Sequence, residues 1–154
     1  MNNYKKTQIS MEFMLLITFM LFFFIVFFGV VQYRMAEATS TKEMLLLREV
    51  GDYVKNEISL AATVEDGYER TFETPIDVVG REYYMHLYKT ANEDDDRVQY
   101  YLELSYLYQN STIFVNLPYI DLDIGDKEKI LINNGENLIK KVNGIITLEI
   151  PESS

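Results

Sequence analysis

Glu12 places a carboxylate directly before an apolar run of nineteen residues, 13–31, in which Thr18 is the single polar side chain. A helix of this length, at about 1.5 Å per residue, matches the ~30 Å hydrocarbon core of a bilayer. A carboxylate beside such a helix is costly unless it stays at the interface or meets a cation. The sequence therefore predicts a membrane helix whose acidic group has a charge-pairing role.

Other residues offer less chemistry. His86 is the only histidine and is flanked two residues away by Tyr84 and Tyr88. No Gly-x-Ser-x-Gly elbow, phosphate-binding loop, HExxH motif or zinc-ligand spacing accompanies it. We therefore expect a packed or surface histidine, and a protein that is not an enzyme.

Acidic residues offer a candidate set of calcium ligands, the loop 92–96 together with Asp121, Asp123 and Asp126. The stretch from Asp121 to Asp126 lacks the full EF-hand spacing and its terminal glutamate. We expect solvated acidic loops, no metal and no cofactor. Asn110-Ser111-Thr112 is a candidate N-glycosylation site, with Asn110 as the acceptor.

Charge sets the orientation and excludes some partners. Lys5 and Lys6 precede the apolar run, so the positive-inside rule predicts a cytoplasmic N-terminus and an outward C-terminus. Residues 32–154 contain 12 basic and 23 acidic residues, a net charge of −11. Such a domain would be repelled by nucleic acid and by anionic lipid. The chain has no cysteine, which excludes disulfides and thiolate metal sites.

An alternative is a conventional secretory signal with cleavage near Ala36-Glu37-Ala38. The apolar run is longer than the usual hydrophobic region of such signals, and the helical pattern continues past the cut. We therefore expect the apolar helix to remain part of the protein.

The elements around these residues follow from periodicity. A helix is predicted over 8–64, with a bend or restart near Ser40, which forms a capping-box pattern with Glu43. Its outer half has one apolar stripe: Met44, Leu47, Val50, Val54, Ile58 and Ala61. Charged residues are expected to fill its other faces: Lys42, Glu43, Arg48, Glu49, Asp52, Lys55 and Glu57.

Beyond Gly67 the period changes to that of strands. Alternation is clearest over 98–108, and shorter strands are predicted over 71–79, 82–89, 111–117, 128–133, 138–142 and 145–150. Asn134-Gly135 and Asn143-Gly144 predict type I′ hairpin turns. The fold class is α+β: a long N-terminal helix, transmembrane then amphipathic, followed by a small antiparallel β domain, a sandwich or open barrel.

The residues before the apolar run form a motif: Gln8, Ser10, Glu12 and Phe13 follow Lys5-Lys6-Thr7. This stretch resembles the class III signal peptide of archaeal type IV pilin-like proteins, a short basic leader followed by Gln-x-Ser-x-Glu-Phe and an apolar helix. Thr7 departs from the family pattern, which has glycine at this position.

The resemblance implies a leader, 1–7, removed between Thr7 and Gln8 by a prepilin-type peptidase. The remaining chain would comprise the helix, 8–64, with its transmembrane segment, 13–31, and the extracellular β domain, 65–154. It also implies that Gln8, Glu12 and Phe13 act in subunit assembly. Glu12 would pair with the new N-terminal amine of a neighbouring pilin subunit, and the apolar helices would bundle as a filament core.

We therefore expect a minor pilin-like subunit of an archaeal type IV pilus-type surface filament, inserted in the membrane before assembly. Nine of its twelve tyrosines follow Gly67, where they fit a pleated sheet and could form an adhesive surface. The alternative is an uncleaved single-pass accessory protein whose outward β domain binds the cell envelope or the assembly machine. In that case Glu12 would rest in the lipid headgroup layer.

Overall fold

The structure is a computed structural model that describes residues 3–92, 95–107, 111–125 and 127–149. Side chains are described for 11–90, 98–107, 111–125 and 127–149. The chain forms two compact units, Met1–Thr41 and Lys42–Ser154. The second unit therefore includes both the outer part of the helix and the strands. Its architecture confirms the predicted α+β class.

The helix, α1, comprises Asn3–Thr63. It starts before the predicted Gln8, and the residues from Asn3 to Gln8 include no glycine or proline that would break a helix. The predicted restart near Ser40 is wrong, because α1 continues through this residue without a break. The hydroxyls of Thr39 and Thr41 donate to carbonyl oxygens four residues earlier, at 2.9 and 3.0 Å, so they bond within the helix and cap nothing.

Eight strands follow: β1 Glu69–Glu73, β2 Tyr83–Asn92, β3 Asp95–Tyr106, β4 Thr112–Asn116, β5 Leu122–Asp123, β6 Lys129–Ile132, β7 Glu136–Val142 and β8 Ile145–Glu149. They form two four-stranded sheets, in the orders β1-β7-β8-β5 and β4-β3-β2-β6. All described pairings between strands are antiparallel except that of β5 with β8.

Buried and half-buried residues alternate along β2 and β3, as the sequence pattern predicts. Met85 and Leu87 on β2, and Leu102 and Leu104 on β3, are fully buried. The residues between them are half-buried and lie on the opposite face of the sheet. This second sheet therefore has one face in the core and one face towards solvent.

The core is shared by the helix and both sheets. Leu47, Val54, Ile58 and Ala61 of the predicted helical stripe are fully buried. The helix approaches the second sheet closely at Gly51, where a Cβ would lie 2.9 Å from both Leu104 Cδ1 and Val115 Cγ2. The amphipathic half of α1 therefore covers the buried face of that sheet.

Two acidic residues of the helix do not face solvent as predicted. Glu43 and Glu57 are each 7% exposed. Their carboxylates pair with Arg81 at 3.0 Å and Arg70 at 3.3 Å. Arginine guanidinium groups are suited to such partly desolvated pairs, and this explains why carboxylates are tolerated beside the core.

One of the two predicted hairpins is correct. Asn143 and Gly144, with φ of 54° and 81°, connect β7 to β8. Asn134-Gly135 does not form a hairpin, because β6 pairs with β2 in one sheet and β7 pairs in the other. The Asn134 amide instead donates to the Tyr83 carbonyl oxygen at 2.6 Å, so this connection crosses between sheets.

The predicted strand 71–79 is also too long. β1 ends at Glu73, and Pro75 follows, which has no N–H to donate. Val78 and Arg81 then form an isolated bridge around a tight turn, with φ of 58° at Val79 and 69° at Gly80. The short β5 was not predicted, because two residues carry no periodicity.

Candidate membrane and assembly helix

The first part of α1 exposes an apolar surface. All side chains from Met11 to Val30 are exposed. The helix is long and apolar enough to cross a membrane, and none of its most apolar window is buried. An α-helix satisfies its backbone hydrogen bonds internally, which is the requirement for crossing lipid. This part of the helix could therefore lie in a bilayer or be covered by other helices.

Thr18, the polar side chain within this apolar surface, makes a hydrogen bond inside its own helix. Thr18 Oγ1 donates to the Met14 carbonyl oxygen at 2.8 Å. Phenylalanine rings cover much of the remaining surface, with centroids 4.7 Å apart for Phe19 and Phe23 and 6.4 Å for Phe24 and Phe28. Nothing described between residues 13 and 31 therefore prevents contact with lipid or with another apolar helix.

Glu12 lies at the N-terminal end of this surface, the end that the positive-inside rule predicts to be cytoplasmic. It is exposed between Met11 and Phe13, which are 71% and 62% exposed. No ion pair joins Glu12 to a basic group among the side chains that the structure describes. Its carboxylate is therefore available to a cation from outside the described chain.

The predicted cleavage site precedes Glu12 on the same helix. Thr7 and Gln8 lie within α1, and their side chains are outside the described set. Gln8 is four positions before Glu12, which is about one helical turn. An amine created at Gln8 would consequently lie at the same end of the apolar surface as Glu12.

The opposite end of the surface has polar and aromatic residues. Tyr33 is 71% exposed, and Arg34 Nη1 lies 3.2 Å from Glu37 Oε2. Tyrosine and arginine are common where a helix leaves the hydrocarbon region.

His86 lies on the solvent face of β2, between Tyr84 and Tyr88, as its sequence position predicts. The centroid of its ring lies 5.1 Å from the ring centroid of Tyr84 and 6.1 Å from that of Tyr88. Burial and the nearby Lys129 lower the pKa of His86, and Glu103 partly opposes them. Its Nδ1 is buried and has no hydrogen-bond partner among described groups. This histidine is part of an aromatic row on β2.

The acidic side chains of the loop that contains Asp121 and Asp123 are exposed to solvent, as predicted, where the structure describes them. Asp121 and Asp123 are exposed and line an open cleft of about 660 Å³ with Tyr100. Asp123 Oδ1 accepts a hydrogen bond from the Gly125 N–H at 2.7 Å, which is a local turn contact. In the described portion of the chain, no group of three or more metal-binding side chains could hold an ion. Asp126 and the acceptor Asn110 lie outside the described residues, whereas Ser111 and Thr112 of the sequon are described and half-buried.

No protein-family model matches this chain, and no curated protein or solved structure matches it either. What the protein does is therefore inferred from the exposed apolar helix, from Glu12 and from the folded unit Lys42–Ser154, which we call the β unit.

Proposed function

We propose that this protein is a pilin-like subunit, of minor abundance, of an archaeal type IV pilus-type surface filament. The observation that carries the proposal is the exposed apolar surface of residues 11–30, attached to a chain that also has a separate folded core. The Gln-x-Ser-x-Glu-Phe motif supports it, since that motif resembles the processing signal of such proteins.

Glu12 provides the energetic reason for assembly. A carboxylate at the edge of lipid loses part of its hydration, and this costs free energy unless a cation compensates. Cleavage after Thr7 creates an α-ammonium at Gln8, and a neighbouring subunit can present that amine to Glu12. The pair forms between subunits, so docking is favoured over remaining in lipid, and the charges also fix the register.

The apolar surface then forms the filament core. Association of helices in lipid depends on packing, because lipid tails are as apolar as the side chains. The exposed phenylalanines, with Thr18 bonded inside its own helix, allow such packing without leaving a polar group unsatisfied. Lipid contacts are replaced by helix contacts when subunits leave the membrane.

The β unit stays outside the helix bundle in this proposal. It has its own core of residues from α1 and both sheets. Its acidic surface is compatible with an aqueous exterior and with repulsion of nucleic acid. Orientation with the N-terminus cytoplasmic follows from Lys5 and Lys6 before the helix.

One observation favours a second candidate, an uncleaved single-pass accessory protein. Thr7 occupies the position of the family's glycine, and its β-branched side chain is larger than glycine in the peptidase site. Without cleavage, Gln8 would have no amine for a neighbour, and the β domain would act from the membrane on the envelope or the assembly machine.

Intact-mass spectrometry of the protein from membrane and filament fractions separates these functions. We expect a chain that begins at Gln8 in the filament fraction. Thr7→Gly should be processed at least as completely, and Thr7→Phe should accumulate uncut in the membrane. Recovery of an uncut chain that begins at Met1 from membranes, with none in filaments, would support the accessory protein and contradict the filament subunit.

A further inference from the structure

The β unit has an apolar groove with an acidic rim beside the outer part of α1. Leu46, Tyr53, Pro75 and Val79 form its apolar walls, and Glu49 and Asp77 provide the acidic groups. Its volume is about 470 Å³. A groove with apolar walls and negative charge fits an apolar or aromatic side chain next to a cation.

The turn at one side of the groove has unusual features for a surface loop. Val79 is a β-branched residue with a φ of 58°, in the left-handed region that such residues avoid. Val79 and Ile76 are nevertheless 58% and 74% exposed. Strained backbone of this kind is concentrated at functional sites, including those that hold ligands.

Glu49 and Asp77 provide the negative charge of the groove. Among the residues that the structure describes, no ion pair joins Glu49 or Asp77 to a basic side chain. Asp77 Oδ1 accepts the Gly80 N–H at 2.9 Å, and this bond leaves the charge without a cation. The partner that fits the groove is therefore positively charged.

We infer that the groove binds Tyr33 and Arg34 of a second copy of this chain. This inference rests on the proposed filament function, which brings helices and β units of different copies together. Arg34 is the only basic residue between Lys6 and Lys42, so it is the cation that this stretch of a neighbouring helix can offer.

Both side chains are exposed. Tyr33 is 71% exposed, and the Arg34 side chain is 74% exposed. The existing Arg34–Glu37 pair is at the surface, so it is weak and exchanges readily for another partner. Tyrosine and arginine are also the residues that most often dominate the binding energy of interfaces.

The contact joins two different surfaces of the same protein. Each copy has one groove and one Tyr33-Arg34 pair, so binding is head-to-tail, and a head-to-tail contact that does not close into a ring produces an open filament. The groove would thus set the spacing of β units along the filament.

Cysteine cross-linking tests the contact directly, because the chain has no cysteine of its own. Ile76→Cys in one tagged copy and Ala36→Cys in a second tagged copy should give a disulfide-linked dimer in filaments. Asn143→Cys, at an exposed turn outside the groove, is the matched control with Ala36→Cys. A dimer yield no higher than that of the control would overturn the proposal.

Reversing the charges at the proposed contact provides a second test. Arg34→Glu should reduce the Ile76–Ala36 dimer several-fold, and combining it with Glu49→Lys and Asp77→Lys should restore most of it. Normal filaments without this dimer would overturn the groove contact and leave the filament function intact. Uncut chains with no filaments would instead remove the filament function, and the groove contact with it. Cross-linking of Ile76→Cys to a different protein would also contradict the proposed contact between two copies of this chain.

Discussion

Arg81 Nη1 lies 3.0 Å from the buried Glu43 Oε2, which ties the tight turn before β2 to α1. Glu43 is held a second time, because its carbonyl oxygen accepts a hydrogen bond from the Tyr106 hydroxyl on β3 at 2.8 Å. Burial raises the pKa of Tyr106, so this hydroxyl remains a donor across the physiological range. Two contacts thus attach the same helical turn to the second sheet.

Replacement of Arg81 by methionine should destabilise the β unit. Glu43 would then keep a buried charge without a cation, although Arg81 itself is half exposed. We expect a loss of about 1–2 kcal/mol in the free energy of unfolding, less than the ~3–5 kcal/mol for breaking a fully buried pair. Urea unfolding of the full chain in detergent, followed by tyrosine fluorescence, measures it.

The matched control is Arg48→Met. Arg48 pairs with Asp52 at 3.9 Å in an exposed position on the same helix. This variant should change the free energy of unfolding by less than about 0.5 kcal/mol. Equal losses for the two variants would show that the Glu43–Arg81 pair contributes nothing specific.

Gly51 should resist substitution by a large residue. A Cβ there would lie 2.9 Å from Leu104 and Val115, where the helix meets the second sheet. Gly51→Leu should cost about 1–3 kcal/mol through overpacking, despite the better helix propensity of leucine. Asn56→Leu, at an exposed position of the same helix, is the control and should be near neutral. A Gly51→Leu variant as stable as the wild type would contradict the close approach.

Local patterns predicted much of this fold. The apolar run, the helical stripe through Leu47 and Ile58, and the alternation of β3 all depend on neighbours in sequence, so they could be read directly. Asn143-Gly144 is a local signal as well, since its two positive φ angles suit these residues.

The errors arise where distant segments decide the outcome. Asn134-Gly135 has the same residue types as the correct hairpin, but β6 pairs with β2, far away in sequence. Glu43 is buried because Arg81 reaches it, which no helical periodicity could indicate. Of the candidate site, Glu12 could be identified from sequence, whereas the groove around Tyr53 and Val79 required the folded chain.

The stability of the β unit should depend on His86 in mildly acidic solution. Burial lowers the pKa of folded His86 below its ordinary value of 6.5. At a pH between the folded pKa and 6.5, the unfolded chain binds more protons than the folded chain does. The free energy of unfolding therefore decreases as the pH falls through 6.5 towards the folded pKa. The groups that face His86 are Tyr84, Tyr88, Glu103 and Lys129.

His86→Gln isolates this contribution. Urea unfolding of the wild type at about pH 7.5 and about pH 5.5 should show a loss of stability that is smaller in the variant. Carboxylates contribute equally to both proteins, so the difference between them reports His86. An identical pH dependence for wild type and His86→Gln would contradict the lowered pKa.

Filament incorporation of Glu12→Gln tests whether the Glu12 carboxylate drives subunit assembly. The substitution keeps the shape of the side chain and removes the charge that we propose pairs with a neighbour's amine. Glu37→Gln, an exposed acidic residue on the same helix, is the matched control. With both variants inserted and processed like the wild type, we predict that Glu12→Gln stays in the membrane and Glu37→Gln enters filaments. Incorporation of Glu12→Gln at the wild-type level would contradict the account.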